Sequence, residues 1–379
     1  MTQEKTTTVT RVPLLDLQAQ YKPIKAQVMQ AIEQVFDSKQ FILGTKVTEL
    51  ESAIANYCQT RFAIGVSSGT DALILSLMAM GIGKGDEVIT TPFTFFATAG
   101  SIARVGAVPV FVDIDPETYN IAPSKIESAI TPKTKAVIPV HLFGQMADMD
   151  PIMELAKKHN LLVIEDACQA IGSSYADKRG QTRMAGSVGD TGCFSFFPSK
   201  NLGCCGDGGM ITTNDEKLAE RMRIMRVHGS KPKYYHHVIG GNFRLDPIQA
   251  AVLLVKLNSL EDHHTGRQEN ARYYDSRLND SVKIPHVSPN FKMIYNQYTI
   301  RTPKRDKLQD ALNQNTIGNA VYYPVPLHLQ PCFKDLGYKQ GDFPESERAA
   351  LEVISLPIYA ELTEEQKDYV IQTVKKALG

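Results

Sequence analysis

The chain has 379 residues, 43% hydrophobic and 22% charged, the composition of an ordinary globular protein and not of a disordered or fibrous one. At roughly 150 residues per domain this length suggests two or three domains, each able to bury a core. Its 41 basic and 41 acidic side chains cancel, which removes the basic surplus expected of a nucleic-acid binder.

Residues 17–58 read as helical. From about 60 to 215, short apolar, β-branched runs alternate with amphipathic stretches, the pattern of parallel strands joined by crossover helices. Residues 62–66 predict a strand, 67–70 a turn, and 71–80 a helix with capping residues at its start. Further strands are expected at 87–90, 108–112, 136–140, 161–164, 193–197 and 209–212, all in one large, mostly parallel sheet. Residues 245–278 read as one long helix leading into a C-terminal third that mixes strands, such as 296–301, with terminal helices. The expected organisation is α/β, with a large domain over 1–250 and a smaller α+β domain over 251–379.

No stretch approaches the roughly 18 uninterrupted apolar residues of a membrane span, and the polar opening Met1-Thr-Gln-Glu-Lys-Thr lacks the apolar segment of a secretory signal. A cytoplasmic protein that neither crosses a membrane nor binds nucleic acid is expected. The six cysteines have no paired CxxC spacing for zinc, so no metal is expected. The adjacent Cys204 and Cys205 could bridge only in a strained ring and are read, with the others, as reduced thiols. No GxGxxG follows a strand, which argues against a nicotinamide-dependent dehydrogenase.

Three features carry chemistry. Ser67-Ser-Gly-Thr70 lies at a strand-to-helix turn, where free backbone N–H groups and the positive end of a helix dipole form a phosphate cradle. Asp166 follows the apolar strand at 161–164, at the edge where open parallel sheets bind ligands, and a carboxylate there needs a cationic atom or donors to meet it. Lys200 follows the apolar run Cys193-Phe-Ser-Phe-Phe197, and burial there would lower its pKa and release the neutral amine as nucleophile and base. A phosphate site, an aspartate able to pair with a protonated pyridine nitrogen and a lysine able to form a Schiff base are together what pyridoxal phosphate requires.

The same segments make the chain resemble the DegT/DnrJ/EryC1/StrS sugar aminotransferases over nearly its whole length. The likeness is carried by Pro13-Leu-Leu-Asp-Leu17, Val66-Ser-Ser-Gly-Thr-Asp-Ala-Leu73, Thr91-Pro-Phe-Thr-Phe-Phe-Ala-Thr98, Pro139-Val-His-Leu-Phe-Gly-Gln145, Ile164-Glu-Asp-Ala-Cys-Gln-Ala170, Cys193-Phe-Ser-Phe-Phe-Pro-Ser-Lys200 and Gly241-Asn-Phe-Arg-Leu-Asp-Pro247. It implies the aspartate-aminotransferase fold (fold type I of pyridoxal-phosphate enzymes) with a seven-stranded sheet. It implies that Lys200 binds the cofactor and shuttles protons, and that Asp166 keeps the pyridine nitrogen protonated. Gln169 would face the ring's O3′ side and Phe95 would stack on the ring. Gly69, Thr70 and Ser195 would bind the phosphate, with Asn242 entering from the second subunit of a homodimer. Arg244, His328 and Tyr323 would lie near the sugar or its diphosphate, where an arginine suits paired phosphates. Lysine at 200 marks an aminotransferase, since the family's dehydrases carry histidine there. The implied reaction moves an amino group from L-glutamate to a keto-sugar on a nucleoside diphosphate. Gly240-Gly-Asn-Phe-Arg-Leu-Asp246 and Tyr323-Pro-Val-Pro-Leu-His328 favour amination at C3 over C4. A non-catalytic regulator built on the same fold is the alternative from another class.

Overall fold

The computed structural model describes residues 11–379. The polar stretch 1–10, on which the cytoplasmic expectation leans, lies outside the described residues. Helices α1 (Leu17–Tyr21), α2 (Lys25–Ser38) and α3 (Thr45–Tyr57) open the chain. The helical reading of 17–58 is broken at Leu43 and Gly44, which take positive φ (54° and 89°) and start α3 afresh. The central block then runs β1 (Phe62–Val66), α4 (Gly69–Ala79), β2 (Glu87–Thr90), α5 (Ala97–Arg104), β3 (Val108–Phe111), α6 (Pro123–Ile126), β4 (Thr134–Val137), α7 (Met149–His159) and β5 (Leu162–Asp166). A short pair, β6 (Ser174–Ala176) and β7 (Thr182–Met184), precedes β8 (Thr191–Ser195), β9 (Gly209–Thr213) and α8 (Glu216–Met225).

Seven of these strands form one sheet in the order β1-β9-β8-β5-β4-β2-β3. Strand β9 runs antiparallel to both neighbours and the remaining pairs are parallel, so the carboxyl ends of the other six strands share one edge. Helices cover both faces, which is why the strands read as continuous apolar runs and not as alternations. Val163, Phe194 and Met210 point into one core with α3 residues Leu50 and Ile54, whereas their neighbours Ile164, Cys193 and Ile211 point into a second with Leu73 and Leu77 of α4.

Two strands end earlier than the apolar runs suggest. Strand β4 occupies Thr134–Val137 and not 136–140, because Pro139 has no N–H to continue the ladder; the pairing with β5 resumes beyond it, where Pro139 O accepts from the Asp166 N–H at 2.9 Å and the His141 N–H donates to Asp166 O at 3.0 Å. Strand β8 stops at Ser195, two residues short of the expected end, as the chain turns toward Pro198. The long helix expected over 245–278 is two: α9 (Pro247–Leu257) and α10 (Leu260–Leu278), parted by Asn258 and Ser259, whose short polar side chains favour turns over helix interiors. Residue 250 lies inside α9, which packs on α2 and α3. Leu260 still belongs to the core containing Leu50, while Ala271, Tyr274 and Leu278 belong to a C-terminal core, so the chain changes cores along α10.

That C-terminal core joins β11 (Tyr298–Arg301) and β12 (Val353–Leu356) to α11 (Arg305–Gln314), α12 (Pro344–Glu352) and α13 (Glu364–Leu378); the short β10 (Phe291–Lys292) pairs with β6. Phe93, Val140 and Phe143 of the large sheet's edge are buried in it as well, which fixes the C-terminal segments against that edge.

Among the described residues no helix is long and apolar enough to cross a membrane, no cluster of potential metal ligands occurs, and all six cysteines are free.

Behind the sheet edge, Glu165 is wholly buried. Its Oε1 accepts from the N–H groups of Val188 (2.8 Å) and Gly189 (2.7 Å), and its Oε2 from Gly186 N–H and His141 Nε2 (both 2.8 Å). Replacing it with alanine strands three backbone donors and an imidazole. Glu165→Ala should therefore lower the stability of the cofactor-free protein by roughly 3–5 kcal/mol, read as a fall in the urea unfolding midpoint.

Candidate active site

The shared carboxyl edge of the parallel strands brings together segments that lie far apart in the chain. The turn after β1 supplies Gly69 and Thr70, the stretch between β2 and α5 supplies Phe95, the end of β5 supplies Asp166 and Gln169, and the end of β8 supplies Ser195 and Lys200. This is the position at which open α/β sheets hold ligands.

The start of α4 is packed hard against β8. A Cβ on Gly69 would lie 2.7 Å from Ser195 Cβ and 2.8 Å from Cys168 Sγ, so only glycine lets the helix end come so close. Strand β9 makes the approach from below: a Cβ on Gly209 would meet Ser68 O at 2.4 Å. The Ser68 side chain caps the Asp71 N–H at 3.0 Å, leaving the earlier N–H groups of the turn for an anion beside Ser195 and the exposed Thr70.

Asp166 is buried, with Oδ2 accepting from Thr98 Oγ1 at 2.8 Å and Oδ1 from the Cys168 N–H at 3.3 Å. Gln169 accepts from the Phe143 N–H at 2.8 Å and donates through Nε2 to the Tyr323 hydroxyl at 3.0 Å. Burial pushes the Tyr323 phenol well above its ordinary pKa, so it stays protonated. Phe95 is 57% exposed, with its ring centroid 6.2 Å from that of Tyr323. It is therefore no core residue but an open aromatic face.

Lys200 sits in the turn after β8, its N–H bonded to Phe197 O at 2.8 Å. Burial lowers its pKa, and the neighbouring Asp166 carboxylate acts the other way. The Cys168 thiol is itself pushed up, first by burial and then by Asp166, and stays protonated. The arrangement fits pyridoxal phosphate at three points: a glycine-tight helix end for the phosphate, a buried carboxylate for the pyridine nitrogen, and an amine held toward its neutral form.

Among the described residues, no side-chain hydrogen bond joins the remaining expected residues to this cluster. Asn242 and Arg244 belong to a segment paired with the chain's own strands, through Val227–Asn242 and Val66–Arg244 bridges and the Ser67 N–H to Phe243 O bond of 3.0 Å. His328 is buried, 3.1 Å from Glu347 through Nε2 and edge-on to Phe343 at 4.7 Å. Burial lowers its pKa, with Glu347 opposing.

The sequence of residues 22–375 matches that of the DegT/DnrJ/EryC1/StrS aminotransferase family. The chain belongs to that family. It is 54% identical over 96% of its length to a Geobacillus stearothermophilus protein named a pleiotropic regulatory protein, 97% of which is covered. It is 43% identical to the UDP-N-acetyl-3-dehydro-alpha-D-glucosamine 3-aminotransferase of Acidithiobacillus ferrooxidans, with 97% of this chain and 98% of that one covered. Among solved structures, Streptomyces venezuelae DesV in complex with a ketimine intermediate superposes with a TM-score of 0.93 at 42% identity, covering 97% and 98% of the two chains. Other solved relatives hold pyridoxamine phosphate or pyridoxal phosphate, and several further relatives at 42–44% identity are named for an amino or oxo group at sugar position 3.

Four residues escaped the sequence reading. Thr98 and Cys168 lie inside motifs that were recognised, yet only the fold shows that they touch Asp166. Gly209 was visible as part of a glycine-rich loop, but the collision it avoids is tertiary. His141, two residues after Pro139, carries no local sign of its Glu165 partner.

In the cofactor-free protein, the pH midpoint for reaction of Lys200 with an amine-selective acylating reagent, followed by mass spectrometry, should lie below the ordinary lysine value of about 10.4. Burial disfavours the ammonium form, and Asp166 favours it. Asp166→Asn removes that favourable charge, so the midpoint should fall further, with reaction setting in at lower pH.

Proposed function

We propose that this member of the aminotransferase family moves an amino group from L-glutamate to a keto-sugar carried on a nucleoside diphosphate, aminating C3, as a cytoplasmic homodimer. The observation that carries the reading is the half-buried, pKa-lowered Lys200 beside Asp166 and the Gly69–Ser195 cradle. The chemistry class rests on the family and the cofactor on its solved relatives. The C3 preference is supported by relatives named for substitution at position 3.

Pyridoxal phosphate, when bound, supplies an electron sink that makes the proton on the amino-bearing carbon removable. Lys200, neutral, takes that proton and later returns one, in both halves of the exchange. Asp166 would meet the pyridine nitrogen and hold it protonated. Gly69, Thr70 and Ser195 would receive the phosphate, and the open Phe95 face would lie against the ring. Gln169, oriented by Phe143, and the protonated Tyr323 would line the side of the ring toward the C-terminal segments. Arg244 suits the sugar's diphosphate by charge and bidentate geometry. Asn242, exposed and already paired through its backbone within its own chain, is assigned to the site of a second subunit. His328 is assigned to the substrate side, acting from the wall that Glu347 and Phe343 build. Free thiols throughout suit a reducing compartment.

A regulatory role is favoured by one observation, the name of the relative at 54% identity. Lys200, Asp166 and Ser195 are all present here, and a protein relieved of catalysis has no need of them together.

Excess L-glutamate added to the protein loaded with pyridoxal phosphate should bleach the yellow absorption of the lysine-bound cofactor, and Lys200→Ala should show neither band nor bleaching. A UDP-linked 3-keto-hexose, but not its 4-keto isomer, should then restore the colour. Bleaching without restoration by either sugar would keep the donor half and reject the acceptor.

A further inference from the structure

Thr98 holds the carboxylate on which the ring nitrogen depends. We propose that Thr98 is a positioning residue which, through its Oγ1 bond to Asp166 Oδ2, sets the carboxylate plane and reserves Oδ1 for the pyridine nitrogen. The proposal rests on the pyridoxal-phosphate reading above and adds a residue to it.

The hydrogen count decides the direction of the contact. Thr98 has one hydroxyl proton and three oxygens within reach: Asp166 Oδ2 at 2.8 Å, Phe95 O at 3.2 Å and Thr94 Oγ1 at 3.2 Å. The carboxylate is the nearest and the only charged acceptor, and Phe95 O already accepts from the Thr98 N–H at 3.2 Å. The proton therefore goes to Asp166, and Thr94 donates in turn to Thr98. Both threonines are buried (0% and 2% exposed), so water does not replace this chain of donors.

The two carboxylate oxygens are unequally held. Oδ2 has the short bond to Thr98, while Oδ1 has only the Cys168 N–H at 3.3 Å, long for such a contact. Rotation about the last torsion of an aspartate is broad and close to two-fold, so a single firm donor chooses which oxygen faces outward. Thr98 also sits one turn past Phe95 at the start of α5, bonded to the Phe95 carbonyl. The same helix start thus places the aromatic face and the carboxylate, the two groups a pyridine ring would touch from its side and its edge.

The test uses full-length protein with pyridoxal phosphate as the probe, reading its dissociation constant and the pH midpoint of the yellow band. Thr98→Val keeps the shape and removes the donor; it should weaken cofactor binding roughly tenfold, the size of one hydrogen bond to a charged group, and displace the midpoint. Thr98→Ser should restore both. In an Asp166→Ala background, Thr98→Val should change binding by less than about twofold, because the two residues act as one unit. Wild-type behaviour of Thr98→Val overturns the proposal. So does equal damage in the Val and Ser variants, which assigns the effect to methyl packing, and so does an undiminished effect without Asp166. A wild-type protein that takes up no pyridoxal phosphate while Lys200 still reacts with the acylating reagent overturns the cofactor reading itself, and the proposal with it.

Discussion

Two adjacent carboxylates on β5 point to opposite faces of the sheet, and the site depends on their being treated differently. Glu165 is closed off by three backbone N–H groups and His141, so it is a finished structural unit that ties the 186–189 turn to the strand. Asp166 has one strong donor and one long contact, so it retains capacity for a ligand. A buried carboxylate with unspent capacity is costly unless a cationic partner meets it, and this asymmetry leaves the end of the strand open to one.

Lys200 shows the same tension in the opposite sign. Burial drives its ammonium toward the neutral amine, while Asp166 draws it back. If burial acted alone the amine would be neutral but far from any counter-charge; if Asp166 dominated, the pair would lock as an inert salt bridge. Cys168, between Gly69 and these two groups, keeps a proton and fills the gap without adding a charge. The local dielectric is thereby kept low, which strengthens each interaction a charged ligand would make there.

The C-terminal segments complete the site from above. Tyr323 reaches Gln169 and Phe95, and Phe333 stacks on Phe96 at 5.6 Å, so the loop of residues 322–343 is pinned along the stretch that carries Phe95. Leu327 N–H adds a bond to Pro92 O at 2.7 Å. The Asp166–Lys200 side of the pocket is thus built on sheet edges and helix starts, while the Tyr323 side is built on loops.

The sequence by itself determined the seven strands of the sheet, the strand-to-helix turn at 67–70, and the candidates Asp166 and Lys200, because apolar periodicity, capping residues and a lysine after an apolar run are local signals. It also carried the family, since ordered motifs survive in one dimension. It did not reveal that Pro139 would end β4, that Asn258 and Ser259 would split a helix, or that residue 250 would fall inside α9. Only the tertiary structure decided that Thr98 meets Asp166 across 68 positions, that Gly209 clears the backbone of Ser68, and that His328 turns to Glu347. Such contacts join residues with no fixed spacing. They exist only once six parallel strands end on one edge, and no local pattern can encode which side chains that edge will bring within 3 Å of each other, roughly the reach of a hydrogen bond.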